Sequence, residues 1–411
     1  MKVKRSSSAR KSPPRGGSSR AVDFVMQMMA IPGGSGRERQ VASFVMDQLE
    51  RAGLPRDQFR MDSAHRKSPL GGECGNLILK LRGTQRGPRR LLSAHLDTVP
   101  LCVNTRPDRR GRIVRSGNPE KGLGADDRAG CAVLLNTAFE IIRRGLPHPP
   151  LTFCWFVQEE VGLMGSRHLT TSMLGKPAVG FNFDGGSAAK LTIGATGGYR
   201  MTVEIQGLAS HAGGAPEQGV SAIAIAALAI ADLHRSGWHG DIQRDGLHGT
   251  SNVGVISGGA ATNVVADRVT VRVEARSHDS AFRQRIVAEI EESFRNAAKS
   301  VTNVMGQCGS VAIDGRLDYE SFLLPRNEPA VEMADAAVRS IGRQPERTVT
   351  NGGLDANWLF RHGIPTVSLG CGQKDQHMRS ETLDLDEFED ACRVALHLAT
   401  SGNLHDAPTR E

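Results

Sequence analysis

The sequence predicts an α/β protein in which a helix-covered sheet is interrupted by a smaller, inserted α+β module. Three observations lead to this fold class. The 411 residues are enough for two or three domains of ordinary size. Short, nearly all-apolar runs alternate with helical patterns before residue 194 and again after residue 330, which is typical of strands buried between helices. Between these stretches, alternating apolar and polar residues indicate a different sheet.

The helices and strands of the larger part follow in order. Ser35 is expected to cap a helix that ends near Gly53, with Val41, Val45 and Leu49 on its inner face. The spacing of apolar residues predicts further helices at residues 129–144, 330–341 and 386–398. Buried strands are predicted at residues 76–81, 90–94, 151–157, 179–183 and 364–369.

The inserted module is expected at residues 197–312. Its strand patterns lie at residues 199–205, 254–257 and 267–276, and one of its helices covers residues 220–233. The other helix has Phe282, Ile286, Ile290 and Phe294 at four-residue spacing. The helix-covered sheet is then formed by residues 22–196 and 313–402, and residues 1–21 and 403–411 are expected to be disordered tails.

Charge and cysteine content limit the expected partners and compartment. The formal net charge is +7, but residues 1–20 hold seven basic residues and no acidic one, so the folded part is close to neutral. No specific nucleic acid is expected, because tracking phosphates requires positive charge on the fold itself. No membrane contact is expected either, since no apolar run approaches the length of a membrane helix. The seven cysteines are scattered and none forms a CxxC pair, which favours free thiols in the cytoplasm.

Histidines and acidic residues follow the predicted strands, at the points where the strands end. The carboxyl ends of strands in an open α/β sheet form its functional edge, so these side chains are expected to converge. Each one alone has a structural explanation, such as a helix cap for the Asp126-Asp127 pair, but their shared position does not. The set comprises His95, Asp97, Asp126, Asp127, Glu159, Glu160, Asp184 and His377.

Such a cluster favours divalent cations, because carboxylates that are packed together repel one another and lose hydration. Two imidazoles and three carboxylates, one of them bridging, suit a pair of Zn²⁺ or similar ions about 3.5–4 Å apart. These ions lower the pKa of bound water towards about 7, and a further carboxylate can act as general base. Glu159 and Glu160 are adjacent, so their side chains should diverge. One would bind metal while the other faces the water.

The same residues lie in motifs that resemble those of the M20 metallopeptidases. The resemblance is greatest to the peptidase T-like branch, whose members are tripeptide aminopeptidase-like. The resemblance extends over about residues 22–400 and is specific, because the motifs keep the family's order and spacing. They are SAHLDTVP at residues 93–100, LGADDRAG at 123–130, EEVG at 159–162, NFDGG at 182–186, and His377 with Glu381 four residues later.

The resemblance implies a zinc-exopeptidase-like catalytic domain with a mixed sheet, and it divides the site between two ions. Asp97 is implied to orient His95, and Glu159 is implied to be the general base towards the water between the ions. Zn²⁺ is expected first, with Co²⁺ or Mn²⁺ as alternatives, since such ligands accept several divalent ions. The implied ligands are His95, Asp126 and Asp184 for one ion, and Asp126, Glu160 and His377 for the other.

The inserted module is implied to be the family's lid, which often dimerises, so a homodimer through the lid is expected. Within GLASHAG at residues 207–213, His211 matches the histidine that stabilises the oxyanion, often from the partner subunit. The residues implied to bind the substrate are Asn263 and Arg276 in the lid, and Gly353 and Asp355 in the loop at residues 352–356.

These features lead to one expected function and two alternatives. The expected function is a metal-dependent exopeptidase that hydrolyses the N-terminal peptide bond of short peptides. An amidohydrolase that deacylates N-acyl amino acids would use the same two-metal site. A non-catalytic nucleic-acid-binding protein would instead use the basic tail. Arg128, Leu354 and Met378 differ from the residues usual in the family at these positions.

Overall fold

The computed structural model describes residues 19–401, so nearly all of the predicted tail at 1–21 and the whole tail at 403–411 lie outside the described residues. A helix begins at Arg20, inside the predicted tail, and Ser19 caps it by accepting the N–H of Val22. The polar residues Asp23 and Gln27 interrupt the apolar run, but they are four residues apart and share the exposed face of this helix. This four-residue spacing is the pattern in the sequence that indicates the helix.

Nine α-helices and eighteen strands are formed by the described residues. The helices are α1 (Arg20–Ala30), α2 (Arg39–Arg51), α3 (Ala125–Arg144), α4 (Met164–Arg167), α5 (Ala222–Arg235), α6 (Ser280–Ser300), α7 (Pro329–Ser340), α8 (Asp355–Arg361) and α9 (Leu385–Thr400). The strands are β1 (Phe59–Met61), β2 (Leu77–Leu81), β3 (Arg90–His95), β4 (Pro107–Arg110), β5 (Ile113–Ser116), β6 (Leu151–Phe156), β7 (Val179–Phe183), β8 (Lys190–Ala195), β9 (Gly197–Gln206), β10 (Gly240–Arg244), β11 (Leu247–Gly258), β12 (Arg268–Ser277), β13 (Ser310–Tyr319), β14 (Phe322–Leu323), β15 (Glu346–Thr350), β16 (Thr366–Leu369), β17 (Gln373–Lys374) and β18 (Thr382–Asp384).

A nine-stranded mixed sheet forms the larger part. Its order is β1-β2-β6-β3-β7-β16-β8-β14, and β15 also pairs with β8. The central strands β6, β3, β7 and β16 are parallel to one another, whereas β2 and β8 flank them in antiparallel pairs. A small sheet of β17, β18, β5 and β4 lies apart from it. The predicted α/β class with a mixed sheet is confirmed.

Helices cover both faces of this sheet. Successive residues of a strand point to opposite faces, and Leu91 and Leu92 of β3 accordingly pack into different clusters. The cluster around Leu92 includes the buried sides of α1, α3, α7 and α9, and the cluster around Leu91 includes Leu359 of α8. Strands that are buried on both sides read as continuous apolar runs, which is why the sequence predicted them.

A five-stranded antiparallel sheet has its own apolar core. Its order is β10-β11-β12-β9-β13, and α5 and α6 pack on one face. The predicted stripe of α6 is buried there, from Phe282 to Phe294. Strands β10 and β13 were not predicted, because most of their residues are exposed or only partly buried and they lack an apolar run. Strand β13 runs to Tyr319, past residue 312 where the inserted module was expected to end.

The predicted cap at Ser35 is wrong. Helix α2 begins at Arg39, and no side chain caps it. The Ser35 hydroxyl instead donates to the Asp97 carboxylate at 2.6 Å. A serine hydroxyl near a helix start can serve the helix or a distant acceptor equally well, and here the buried carboxylate is the partner.

The cysteines match their predicted state. All seven are free, and six of them are buried. None of the described helices is both long and apolar enough to cross a lipid bilayer.

Candidate metal centre

The central parallel strands bring the predicted ligands together. Strands β6, β3, β7 and β16 are neighbours with one direction, so their carboxyl ends meet at a single edge. Helix α3 starts at the same edge and adds Asp126. The side chains gathered there are His95 at the end of β3, Glu159 and Glu160 after β6, Asp184 after β7, and His377 after β16.

Asp126 lies between two imidazoles. Its Oδ1 is 3.2 Å from Nε2 of His95, and its Oδ2 is 3.3 Å from Nε2 of His377. Two oxygens that face two separate histidines are what a carboxylate bridging a pair of metal ions requires. Gly124 precedes this turn at φ +75°, a left-handed conformation that favours glycine.

The adjacent glutamates face different partners. Oε2 of Glu160 is 2.9 Å from Nε2 of His377, and its buried Oε1 accepts no hydrogen bond from residues 19–401. The closest imidazole to Glu159 is that of His95, with 4.0 Å between Oε2 and Nε2. Glu160 is thus the member of the pair that joins the histidine cluster.

Asp97 holds both the His95 ring and the turn at residues 158–160, here called the glutamate turn. Nδ1 of His95 lies 3.4 Å from the Asp97 carboxylate and 3.1 Å from its backbone carbonyl, so Nε2 is the nitrogen that faces the site. The same carboxylate accepts the backbone N–H groups of Glu159 and Glu160 at 2.9 and 3.2 Å. Burial would raise the pKa of Asp97, but the hydrogen bond with His95 holds it below its ordinary value.

Asp127 also lies in the cluster, although the implied ligand sets omit it. Single ligand atoms of His95, Asp127 and Asp184 lie within 4.8 Å of one another, as do those of His95, Asp126 and Glu160. However, both oxygens of Asp127 already accept hydrogen bonds, Oδ2 from the N–H of His95 at 3.1 Å and Oδ1 from the Gln373 amide at 2.7 Å. We therefore infer that Asp127 positions His95, and that Asp126 remains the candidate ligand.

The ionisation of the cluster fits cation binding. Burial raises the pKa of Asp184 to about 7, and the nearby Asp126 carboxylate adds to the rise. Burial also raises the pKa of Glu159 well above its ordinary value, although His95 opposes this. Hydrogen bonds with Asp126 and then Glu160 raise the pKa of His377 to about 10. Buried carboxylates that repel one another, together with the unpartnered Oε1 of Glu160, are a donor set that divalent ions satisfy.

Glu381 organises the Asp126 loop, a role that the sequence did not reveal. Its Oε2 accepts the N–H groups of Leu123 at 2.9 Å and Gly124 at 2.7 Å, and its Oε1 accepts that of Asp126 at 3.0 Å. The Cys102 thiol donates to it at 3.3 Å. Glu381 thereby joins two ligand-bearing segments, because it follows His377 by four residues.

Glu38 holds the glutamate turn from the other side. Its Oε1 accepts the N–H groups of Gly36 at 2.7 Å and Gln158 at 3.2 Å, and the side chain is fully buried. Burial and the Asp97 charge raise the pKa of Glu38 to about 7. In the sequence Glu38 looks like an ordinary charged residue at a helix start, so only its position at the site reveals the role.

A cavity of about 350 Å³ opens over the cluster, and Gly353 and Leu354 line it. Gly353 packs on the Tyr319 ring so closely that a Cβ would lie 2.4 Å from Cζ, so only glycine fits there. Asp355 is fully buried, and neither of its oxygens has a partner within the described chain. The predicted contact of Asp355 with substrate stays a prediction, and the closed surroundings of this carboxylate would have to open for such a contact.

His211 and Asn263 lie on the five-stranded sheet's module, away from this cavity, and both are exposed. Nδ1 of His211 accepts the N–H groups of Gly213 and Gly214 at 3.1 and 3.0 Å. A neutral imidazole that accepts through Nδ1 carries its proton on Nε2, so the exposed nitrogen of His211 is a hydrogen-bond donor.

Arg276 is engaged by a neighbouring carboxylate. Its Nε and Nη2 each donate to Glu274 at 3.0 Å, and its Nη1 donates to the carbonyl of Asn351 at 3.3 Å. A substrate carboxylate would compete with Glu274 for this guanidinium, since the bidentate pair is a strong one. The structure brings Arg276 to the edge of the larger part but not into the cavity lining.

The fold and the site together define a class of protein. A mixed, helix-covered sheet gathers two histidines and several buried carboxylates at the carboxyl ends of its parallel strands, beside an open cavity. This combination is that of an α/β metallohydrolase.

The family can be stated as well. The chain belongs to peptidase family M20/M25/M40, whose family model matches residues 91–401. The resemblance seen in the motifs is thereby confirmed.

Relatives and solved structures agree with this assignment. An uncharacterized protein of Bacillus subtilis (strain 168), YqjE, is 31% identical over 319 residues, which are 77% of this chain and 82% of YqjE. A tripeptidase from Staphylococcus aureus subsp. aureus Mu50 superposes with a TM-score of 0.82 at 28% identity, over 93% of this chain and 97% of that one. Aminopeptidase PepT from Bacillus cereus ATCC 10987 superposes with a TM-score of 0.78 at 29% identity, over the same shares.

Proposed function

We propose that this chain is a two-metal exopeptidase that hydrolyses the N-terminal peptide bond of short peptides, tripeptides first. The observation that carries the proposal is the position of Asp126, with one oxygen towards His95 and the other towards His377. The similarity to a tripeptidase and to PepT supports a short substrate. So does the cavity of about 350 Å³, which is near the lower limit for ligand pockets.

Two ligand sets would hold the ions. When bound, divalent ions there polarise the scissile carbonyl and lower the pKa of water. Zn²⁺ is our first candidate, and Co²⁺ or Mn²⁺ would suit the same donors. The sets are His95, Asp126 and Asp184 for one ion, and Asp126, Glu160 and His377 for the other.

Glu159 would take a proton from the attacking water and return it to the leaving amine. Its side chain lines the cavity and does not join the ligand cluster. A carboxylate whose pKa burial raises is a stronger base, and its acid form can protonate the amine. The hydrogen bond from its backbone N–H to Asp97 keeps the side chain at the cavity wall.

His211 would stabilise the oxyanion through its protonated Nε2, reaching the site from a second subunit. Within the described chain it does not line the cavity, so a contact made in trans agrees with its position. Asn263, Arg276 and Gly353 would hold the substrate backbone and terminal carboxylate. Arg276 would exchange Glu274 for the substrate.

The edge of β11 would form the dimer interface. Strand β10 pairs with β11 only up to Ser251, and no other described strand pairs with that edge of residues 252–258. Val255 and Ile256 are 44% and 52% exposed there, and Ile223 of α5 is 47% exposed and lies beside Gly259. An unpaired apolar edge favours pairing with an identical edge around a two-fold axis.

The cytoplasm would be the compartment of this enzyme. Three of its free thiols touch the site. Cys131 donates to the His95 carbonyl at 2.9 Å, Cys102 donates to Glu381 at 3.3 Å, and Cys371 donates to Asp127 at 3.8 Å. A reducing environment keeps such thiols, and the contacts that they make, intact.

Metal analysis combined with a substrate panel tests the proposal. We expect about two divalent ions per chain, hydrolysis of tripeptides, loss of activity on chelation, and recovery on adding Zn²⁺, Co²⁺ or Mn²⁺. Release of free amino acids from N-acetyl amino acids, without tripeptide cleavage, would instead identify a deacylase with the same site. Undiminished hydrolysis by metal-free protein would refute both readings.

A further inference from the structure

A basic side chain lines the cavity and has no part in the proposed chemistry. Lys190 is the first residue of β8 and is half-buried. It lines the cavity together with Thr192 and Thr350. Apart from the histidines of the metal cluster, Lys190 is the one basic residue in the described lining.

The backbone of Lys190 is tied to the loops of the metal centre. Its N–H donates to the carbonyl of Ser187 at 2.9 Å, and its carbonyl accepts the N–H of Gly370 at 3.4 Å. Ser187 follows Asp184 by three residues, and Gly370 directly follows β16 on the way to His377. The base of the side chain is therefore fixed relative to the candidate ligands.

The ammonium group of Lys190 has no partner among residues 19–401. Its neighbour across the strand pair is Glu346, which does not come within ion-pair distance. Nearby arginines are already neutralised, Arg343 by Glu387 at 2.6 Å and Arg347 by Asp335. An unpaired ammonium on the wall of a cavity attracts an anionic group of a ligand.

Hydroxyl groups complete the surroundings. Thr192 is two residues from Lys190 on β8, so both side chains lie on the same face of the strand. Thr350 adds a second hydroxyl to the lining. One ammonium and two hydroxyls are donors that suit the oxygens of a carboxylate.

We propose that Lys190, Thr192 and Thr350 form a subsite for a carboxylate on the acyl side of the scissile bond. The enzyme then prefers peptides that begin with Glu or Asp, or acyl groups that end in a carboxylate. This inference rests on the proposed function and names the substrate class of that site. The acyl side is assigned because Lys190 is tied to the Asp184 loop, whereas the lid residues are proposed to hold the other end of the substrate.

Matched substrates test the subsite. We would measure kcat/KM for Glu-Gly-Gly and Gln-Gly-Gly, and for N-succinylglycine and N-butyrylglycine, so that the two pairs distinguish a peptide from an acylated amino acid. The expected preference is about tenfold for the carboxylate member of the pair that is hydrolysed. Lys190→Gln should bring that ratio close to one, and Lys190→Glu should favour Lys-Gly-Gly.

Lys80→Gln is the matched control, since Lys80 is an exposed lysine on β2 of the same sheet. It should keep the wild-type ratio. A wild-type ratio near one, or a ratio that Lys190→Gln leaves unaltered, would overturn the subsite.

A binding measurement separates this inference from the proposed function. Calorimetry of Glu-Gly-Gly and Gln-Gly-Gly on Glu159→Gln protein reports the subsite without turnover. Suppose that wild-type protein hydrolyses none of the substrates, but Glu-Gly-Gly binds to Glu159→Gln protein about tenfold more tightly than Gln-Gly-Gly does. If the double variant Glu159→Gln/Lys190→Gln then loses that preference, the subsite is supported and the exopeptidase function is refuted. Equal binding of the two peptides would reject the subsite, whatever the activity.

Discussion

The two sheets hold their functional side chains in opposite ways. At the edge of the nine-stranded sheet the candidate ligands are tightly packed, and buried carboxylates such as Glu38, Asp97 and Glu381 accept the backbone N–H groups around them. On the five-stranded sheet His211 is exposed, and Arg276 is engaged by Glu274. The difference indicates that the candidate ligands are positioned within one sheet, whereas the proposed contacts of the inserted module would need a substrate or a second subunit.

Among the changes at the edge of the nine-stranded sheet, here called the prearranged region, Glu159→Gln should have the largest effect on activity. We expect kcat to fall by about 10²–10⁴-fold, because the amide cannot accept the proton of the attacking water. Metal content, measured by plasma mass spectrometry, should stay at the wild-type value since Glu159 is outside the ligand cluster. Near-normal turnover in a fully metallated variant would remove Glu159 from the mechanism.

His211→Ala probes the lid. We expect kcat to fall by about 10²–10³-fold with a smaller change in KM, because oxyanion contacts strengthen in the transition state. His248→Ala, at an exposed histidine of the same module, is the control and should keep its activity. Dissociating and mixing His211→Ala with Glu159→Gln protein should restore about a quarter of the sites if the contact is made in trans. The absence of any recovery would place His211 in its own subunit's site or outside the mechanism.

Glu38→Gln measures the cost of burying a negative charge in the prearranged region, through the pH dependence of stability. The pKa of Glu38 rises from 4.5 to about 7 on folding, so the folded protein binds more protons than the unfolded chain between these values. The free energy of unfolding therefore falls as the pH rises through this window, by about 3 kcal/mol. In urea titrations of chelated protein, Glu38→Gln should gain stability over wild type from pH 5 to pH 8. An equal difference at both pH values would contradict this.

Glu381→Gln tests whether the ligand loops depend on their buried support. A carboxylate accepts three backbone N–H groups there, but an amide has a single acceptor oxygen. We expect metal affinity to weaken by about 10–100-fold, measured by competition with a chromogenic chelator. Cys102→Ser should retain the affinity, since its hydroxyl still donates to Glu381. Unchanged affinity in Glu381→Gln would show that the Asp126 loop holds its shape alone.

Much of the fold and of the ligand cluster could be read from the chain, because both leave local patterns. Buried strands appear as apolar runs, and the ligand candidates occupy the residues that follow them. Among the elements that were missed, α1, β10 and β13 have mixed or exposed faces and so lack such a pattern, whereas β8 was missed although five of its six residues are buried. The expected cap at Ser35 failed for a related reason, since burial decides whether a polar side chain caps a helix or binds a distant neighbour.

By itself the sequence determined the family, the central buried strands in their order along the chain and the candidate metal ligands, since covalent spacing and residue chemistry are local properties. Only the tertiary structure decided that Asp126 faces both histidines, that Asp127 is already occupied, and that Glu381 supports a loop 258 residues earlier at Leu123. It also decided that Lys190 lines the cavity with no partner among residues 19–401. Hydrogen bonds and ion pairs depend on distances of a few ångströms between segments far apart in the chain, and these distances exist only after folding.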